Sequence, residues 1–413
     1  MKLTNKSKQL IKYFSNNLNY VEQTRKTDSI LVSLYNDIYN SYVYKNANLT
    51  YKTAIKHVAD SSRVIMPITF KQDSFPAEII NHIFNKSATE LTYEFSIFKR
   101  DVKVIFILEE RAQKAAIRIE DYNKYVEIIY MWLFILNKYS SAECSASLTV
   151  YFYFTSLEKK LPSSTNHILG ENNANTAFTR SCQANAEIVI FRKEDWLKVF
   201  FHETCHSFGL DFSDMNTDEC SQHILRIFKV KSDVNLFEAY SEFWAEIMNS
   251  LFYSFFSLKN KADVNEFLDN AETLINYERT YSFFQLVKVL GFMGLTYKDL
   301  YANNAKSEKL YKENANILSY YVIKTILLNN YQTFLAWCAT NNSSLLAFKK
   351  TLVNQREFCR FIEGTYKNKS MLDGVYAAEQ FMKSKQQTSN SRSNNYLLTN
   401  MKMNIIESTF GKG

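Results

Sequence analysis

The feature that most limits how this chain can fold is its shortage of backbone breakers: 413 residues contain only 8 Gly and 3 Pro, at Pro67, Pro76 and Pro162. Both residue types disfavour a helix interior, by about 1 and about 3 kcal/mol. Their scarcity predicts an α+β protein that is predominantly helical, with limited sheet. Aromatic residues make up 15% of the chain, which is material for a large core. The net charge is +7, from 49 basic and 42 acidic residues, and the two signs are interspersed. A nucleic-acid interface needs a clustered basic stripe, so nucleic acid is not expected as the main ligand.

Residues 1–95 read as a helical region broken near Pro67 and Pro76. Three β-branched and aromatic runs, 101–108, 147–154 and 187–191, read as strands, and 111–138 reads as a helix between the first two. The Ser-, Thr- and Asn-rich stretch 163–185 reads as a long loop. From 194 to 380 the pattern is nearly all helical, and 381–413 reads as a polar linker and tail, with 396–398 docking back on the body. The six cysteines contain no C-x-x-C pair, which suggests free thiols in a reducing compartment. The first eight residues lack an apolar signal core. The most apolar stretches, 125–137 and 282–296, are interrupted by Glu127 and Lys288 and are too short to span a bilayer. An intracellular protein with no membrane segment is expected.

The chemistry is concentrated in His202-Glu-Thr-Cys-His206. Acidic Glu194 and Asp195 suit the start of a helix and Gly209 its end. On that helix His202 and His206 lie on one face a turn apart, where two imidazoles can share one Zn²⁺. Glu203 lies beside them, placed as general base for a water that the ion acidifies. A third ligand is expected from Glu238, Glu242 and Glu246, which recur every four residues and so form one stripe of a second helix. Phe237, Tyr240, Phe243, Trp244 and Ile247 flank that stripe, and carboxylates held among aromatics need a compensating cation.

These residues resemble the gluzincin group, in which H-E-x-x-H is followed by Glu-x-x-x-Asp/Glu on a second helix. In that group the first Glu is a ligand and the next acid orients a ligand His. Two registers fit. Glu238-Ala-Tyr-Ser-Glu242 resembles the thermolysin form, and Glu242-Phe-Trp-Ala-Glu246 resembles that of the anthrax lethal factor group. The second is preferred, giving Glu242 as ligand with Glu238 as the alternative, and Glu246 and Glu238 as orienting acids. A metzincin pattern fails because Phe212 stands at the third-ligand position; Asp211 and Asp214 remain outside candidates. The stretches 175–182 and 187–213 look like zincin-like proteins of nucleocytoplasmic large DNA viruses. The resemblance implies a zincin-like fold, with a small twisted sheet above the metal helix (96–210) and a helical lobe (211–380). It also implies one Zn²⁺ per chain, a zinc metallopeptidase and a peptide or protein substrate. The alternative is a catalytically inactive scaffold serving as a structural or assembly protein of such a virus.

By the same analogy Ile188, Val189 and Ile190 would form an edge strand that pairs with substrate, and the loop 172–180 would frame the cleft. An oxyanion stabiliser is expected beyond the third ligand, with Arg279 and Tyr281 as candidates. Cys182, Cys205 and Cys220 read as core, and His57, His82, His167 and His223 as isolated histidines.

Overall fold

The computed structural model describes residues 1–302, 305–387 and 392–409. The fold is α+β and predominantly helical, built on one mixed six-stranded sheet. Its strands are β1 (Lys52–His57), β2 (Thr89–Ile97), β3 (Arg100–Leu108), β4 (Ser147–Phe154), β5 (Ala177–Thr179) and β6 (Asn185–Ile190), in the order β1-β2-β3-β4-β6-β5. The pairs β1–β2 and β2–β3 are antiparallel, β3–β4 and β4–β6 are parallel, and β5 runs antiparallel to β6.

The continuous apolar run of β3 follows from burial on both faces. Val104, Phe106 and Leu108 join the large core on one face, whereas Ile105 and Ile107 join a smaller one on the other. Helix α1 (Ala77–Lys86) packs on the smaller side through Ile79, Ile80 and Ile83. On the other side lie α2 (Ile119–Tyr139), which links β3 to β4, and α3 (Trp196–Ser207), which follows β6. Helices α4 (Leu236–Ser257) and α5 (Val264–Phe292) complete the large core.

Several expectations need correction. The boundary near residue 95 falls inside β2, because β1 and β2 belong to the central sheet. The helix expected over 111–138 is two, Ala112–Ile117 and α2, broken at Arg118. The stretch 163–185 contains the short helix Glu171–Ala174 and strand β5. The expected linker is in part helical, since Lys369–Gln387 is one helix; 388–391 lies outside the described residues. The segment 399–409 is far from a loose tail. Met401, Lys402, Asn404 and Ile405 are fully buried, and Ser408–Thr409 pairs with Lys2–Leu3.

Cys144 and Cys182 form a disulfide, which overturns the reading of six free thiols; Cys205, Cys220, Cys338 and Cys359 are free and buried. The bridge closes a sequence separation of 38 residues. Chain entropy then gives about 3–4 kcal/mol of stabilisation. Replacing both cysteines by Ser should lower the denaturation free energy by about that amount, measured by urea unfolding. Among the described residues no helix is long and apolar enough to cross a membrane.

Candidate metal centre

Every residue of α3 is buried. α3 runs between β6 and α4, so its polar residues as well as its apolar ones are enclosed. Asp195 precedes it at φ +59° and Gly209 follows at φ +66°. The acids at its start are held by lysines and a main-chain amide, with no side-chain capping bond. Asp195 accepts from Lys402 at 2.7 Å and Lys159 at 3.3 Å, and Glu194 accepts the Lys159 N–H at 3.0 Å.

Four residues apart on α3, the two imidazoles turn their Nε2 atoms to one point, 3.1 Å from each other. Glu238 in the first turn of α4 brings Oε2 to 3.1 Å from His202 Nε2 and 3.5 Å from His206 Nε2. A tetrahedral ion with bonds of about 2.0–2.1 Å requires ligand separations of about 3.3–3.4 Å. The triangle matches that requirement and is, among the described residues, the one cluster of three such donors able to hold a metal ion.

The outer nitrogens face carboxylates. Glu242 Oε2 lies 3.0 Å from His202 Nδ1, and Asp211 Oδ2 bonds His206 Nδ1. Asp211 is itself fixed by Ser213 and by Ser241 Oγ at 3.0 Å. Such carboxylates set the ring orientation and leave each Nε2 free to act as a ligand. The preference for Glu242 as ligand is therefore corrected. One helical turn along α4 carries it past the Nε2 atoms to the outer side of His202, where Lys198 Nζ also binds it at 2.6 Å. Glu246, a further turn away, pairs with Lys324 at 3.1 Å and orients neither histidine. Asp211 is not a ligand but the partner of His206, and Asp214 is tied at the surface to Lys350.

Electrostatics favour a cation. Glu203, Glu238, Glu242 and Asp211 are all buried or nearly so, and among the described residues Lys198 is the one lysine bonded to this group. Burial alone would lower the His202 pKa, but bonds to Glu238 and Glu242 reverse this and hold it at about 9. His206 is likewise driven above its ordinary range, against burial, chiefly by Asp211 and then Glu238. Burial would raise Glu238, yet the two imidazoles bring it far below a normal carboxylate. Glu203 moves up, because burial outweighs the adjacent histidines.

The surrounding carboxylates thus favour positive charge on the two imidazoles. A histidine pKa raised on folding contributes stability that is full below the unfolded value of 6.5 and lost as pH rises through about 9. Thermal melts of metal-free protein should thus fall between pH 6.5 and 9. Zinc affinity should rise over the same window, as fewer protons must be displaced. Equal melts at both ends would contradict this account.

Glu203 and His202 line a small cavity of about 30 Å³ together with Lys159, Asn175, Thr176, Ala177, Lys198, Glu242, Tyr320 and Met403. Tyr320 is a functional candidate that sequence reasoning missed. Its hydroxyl donates to Glu238 Oε2 at 2.9 Å, and it sits in a π-helical stretch, Leu318–Ile323. A π-helical turn places side chains that regular spacing does not foresee. The expected Arg279 and Tyr281 lie elsewhere. Arg279 donates to Asn19, Asn276 and Asn329, and Tyr281 donates to Asn400 at 2.8 Å.

Ile188, Val189 and Ile190 do not form an edge, since β6 is flanked by β4 and β5; the edge on this side is β5. The loop before β5 does frame the cavity, and Arg192 holds it by donating to the carbonyls of Asn172 and Asn175. His57, His82 and His223 lie away from the site, paired with Ala88 O, Glu109 and Glu363. No family model, curated protein or solved structure matches the chain, so the donor triangle and its carboxylate supports carry the functional argument.

Proposed function

We propose that this chain is a zinc-dependent metallopeptidase of zincin-like architecture, in which His202, His206 and Glu238 hold one Zn²⁺. The observation that supports this most directly is the triangle of Nε2, Nε2 and Oε2 atoms with both outer nitrogens held by acids. Three protein ligands leave a fourth tetrahedral position open, as catalysis requires and structural sites do not. When bound, the ion supplies Lewis acidity, polarising a carbonyl and acidifying water.

The chain supplies the rest. Glu203 lies in the same cavity with a pKa raised by burial, suiting it to take a proton from the attacking water and return it to the leaving amine. The Tyr320 hydroxyl, bonded to Glu238 in the resting state, is placed to donate to an oxyanion formed in the cavity. The edge strand β5 offers main-chain groups on which an extended peptide can add as a further strand.

A second reading, a catalytically inactive scaffold, is favoured by the size of the cavity. About 30 Å³ accommodates one or two waters and no peptide residue.

Metal analysis combined with hydrolysis of a mixed peptide library separates the readings. One zinc per chain is expected in both wild type and Glu203→Gln. Cleavage should fall by about 10²- to 10⁴-fold in Glu203→Gln. Zinc at one per chain with no Glu203-dependent cleavage would establish the scaffold.

A further inference from the structure

The cavity is also lined by polar side chains that take no part in the proton transfers of Glu203. Lys159 stands just beyond β4, 1% exposed, and its main chain is clamped on both sides. Its N–H donates to Glu194 at 3.0 Å, and its carbonyl accepts from Met401 N–H at 2.9 Å. Among the described residues its ammonium has one partner, Asp195 Oδ2 at 3.3 Å, while Lys402 binds the other oxygen of that acid at 2.7 Å. An ammonium has three donors, so Lys159 keeps donor capacity in a buried place, where an unmet donor is costly. Asn175 and Thr176 line the same cavity, and among the described residues Asn175 Oδ1, which only accepts, and Thr176 Oγ1, which can also donate, have no partner. Thr176 is 5% exposed, and Arg192 holds the loop that carries both residues.

An ammonium and a hydroxyl lining one pocket match a carboxylate, whose two oxygens accept several hydrogen bonds and carry the opposite charge. We propose that Lys159 and Thr176 form a carboxylate-binding subsite beside the catalytic residues. Preferred peptides then carry an acidic side chain, or a free C-terminal carboxylate, next to the bond that is cut. This rests on the peptidase reading, but it is a statement about binding and can be measured without turnover.

The test uses the zinc-loaded full chain carrying Glu203→Gln, with and without Lys159→Met. Three alanine-based hexapeptides serve as probes: one with a Glu and an amidated end, its Gln counterpart with an amidated end, and the Gln peptide with a free C-terminus. Calorimetry should show one carboxylate peptide bound roughly 10- to 100-fold more tightly than the amidated Gln peptide, the size of a charge-assisted hydrogen bond. Which of the two gains affinity identifies a side-chain or a C-terminal carboxylate as the ligand. The preference should collapse towards unity in Lys159→Met and return in Lys159→Arg. If Lys159→Met does not fold, the Glu203→Gln protein alone decides through its ratios, and equal affinity for all three peptides overturns the proposal. Preferential binding without cleavage by wild type would sink the peptidase reading and leave the subsite standing.

Discussion

A chain ended after residue 398 is expected to lose its folded state and not merely its activity. The segment 399–409 threads between α5, the start of α3 and Leu318–Ile323, and it satisfies groups that water cannot reach. Glu278 accepts the N–H groups of Ile405 and Ile406, each at 2.9 Å. Lys324 donates to Met403 O at 2.9 Å, and Gln285 donates to Lys402 O at 2.6 Å. The Lys402 ammonium lies between Asp195 and Glu407, 2.7 Å from each. Stripping the partner from one buried charge costs about 3–5 kcal/mol. Truncation takes Lys402 from Asp195 and leaves it Lys159 alone, removes both amides from Glu278 and uncovers the apolar surface on which Met401, Ile405 and Ile406 are buried. A whole domain is stable by only about 5–15 kcal/mol. Circular dichroism and limited proteolysis of the truncated chain check this. A cooperative melt within a few degrees of the full chain would refute the account.

Glu238→Gln and Glu242→Gln should separate the ligand from its neighbour on α4. Structural zinc sites bind with about 10–16 kcal/mol, so one of three protein ligands represents about 3–5 kcal/mol. Glu238→Gln should weaken zinc on the order of 10³-fold, read by competition with a chromophoric chelator. Glu242→Gln removes the acid beside His202 Nδ1 and the charge partner of Lys198 but no donor to the ion, and a loss of about 10- to 100-fold is expected. The reverse order would restore Glu242 as the ligand.

The geometry explains which parts of the site could be read in advance. His202 and His206 were legible because a helix fixes the relation of residues four apart. The Glu238–Glu242–Glu246 stripe was legible as a stripe, but its register was not. That depends on how far α4 slides along α3, and tertiary packing settles it: Glu238 meets the Nε2 atoms, Glu242 the far nitrogen and Glu246 Lys324. Tyr320 lies 114 residues beyond His206 on a π-helical turn, with no local pattern to mark it.

The sheet was half legible. Strands buried on both faces announce themselves as apolar runs, as β3 and β4 do. β1 is exposed along its whole length and carries no apolar period. β2 alternates Leu91, Tyr93, Phe95 and Ile97 with Thr92, Glu94 and Ser96, a period-2 signal that was available. The turn after it, Phe98-Lys99, has Phe98 at φ +53° and lacks the Gly or Asn that marks a tight hairpin. The role of 399–409 was hidden because its lysine and asparagines look soluble until their buried partners are known.

The pairing of Lys2–Leu3 with Ser408–Thr409 has a consequence for biosynthesis. Thr4 and Ser7 near one end await Glu407 near the other, and Asp195 at the head of α3 awaits Lys402. At ribosomal speeds of about 5–20 residues per second, α3 emerges about 10–40 s before residue 402 exists. Through that interval the nascent polypeptide holds its histidines without the Lys402 contact that fixes the start of their helix. Closure of the buried charge cluster at the head of α3 is thereby deferred until translation has passed residue 402.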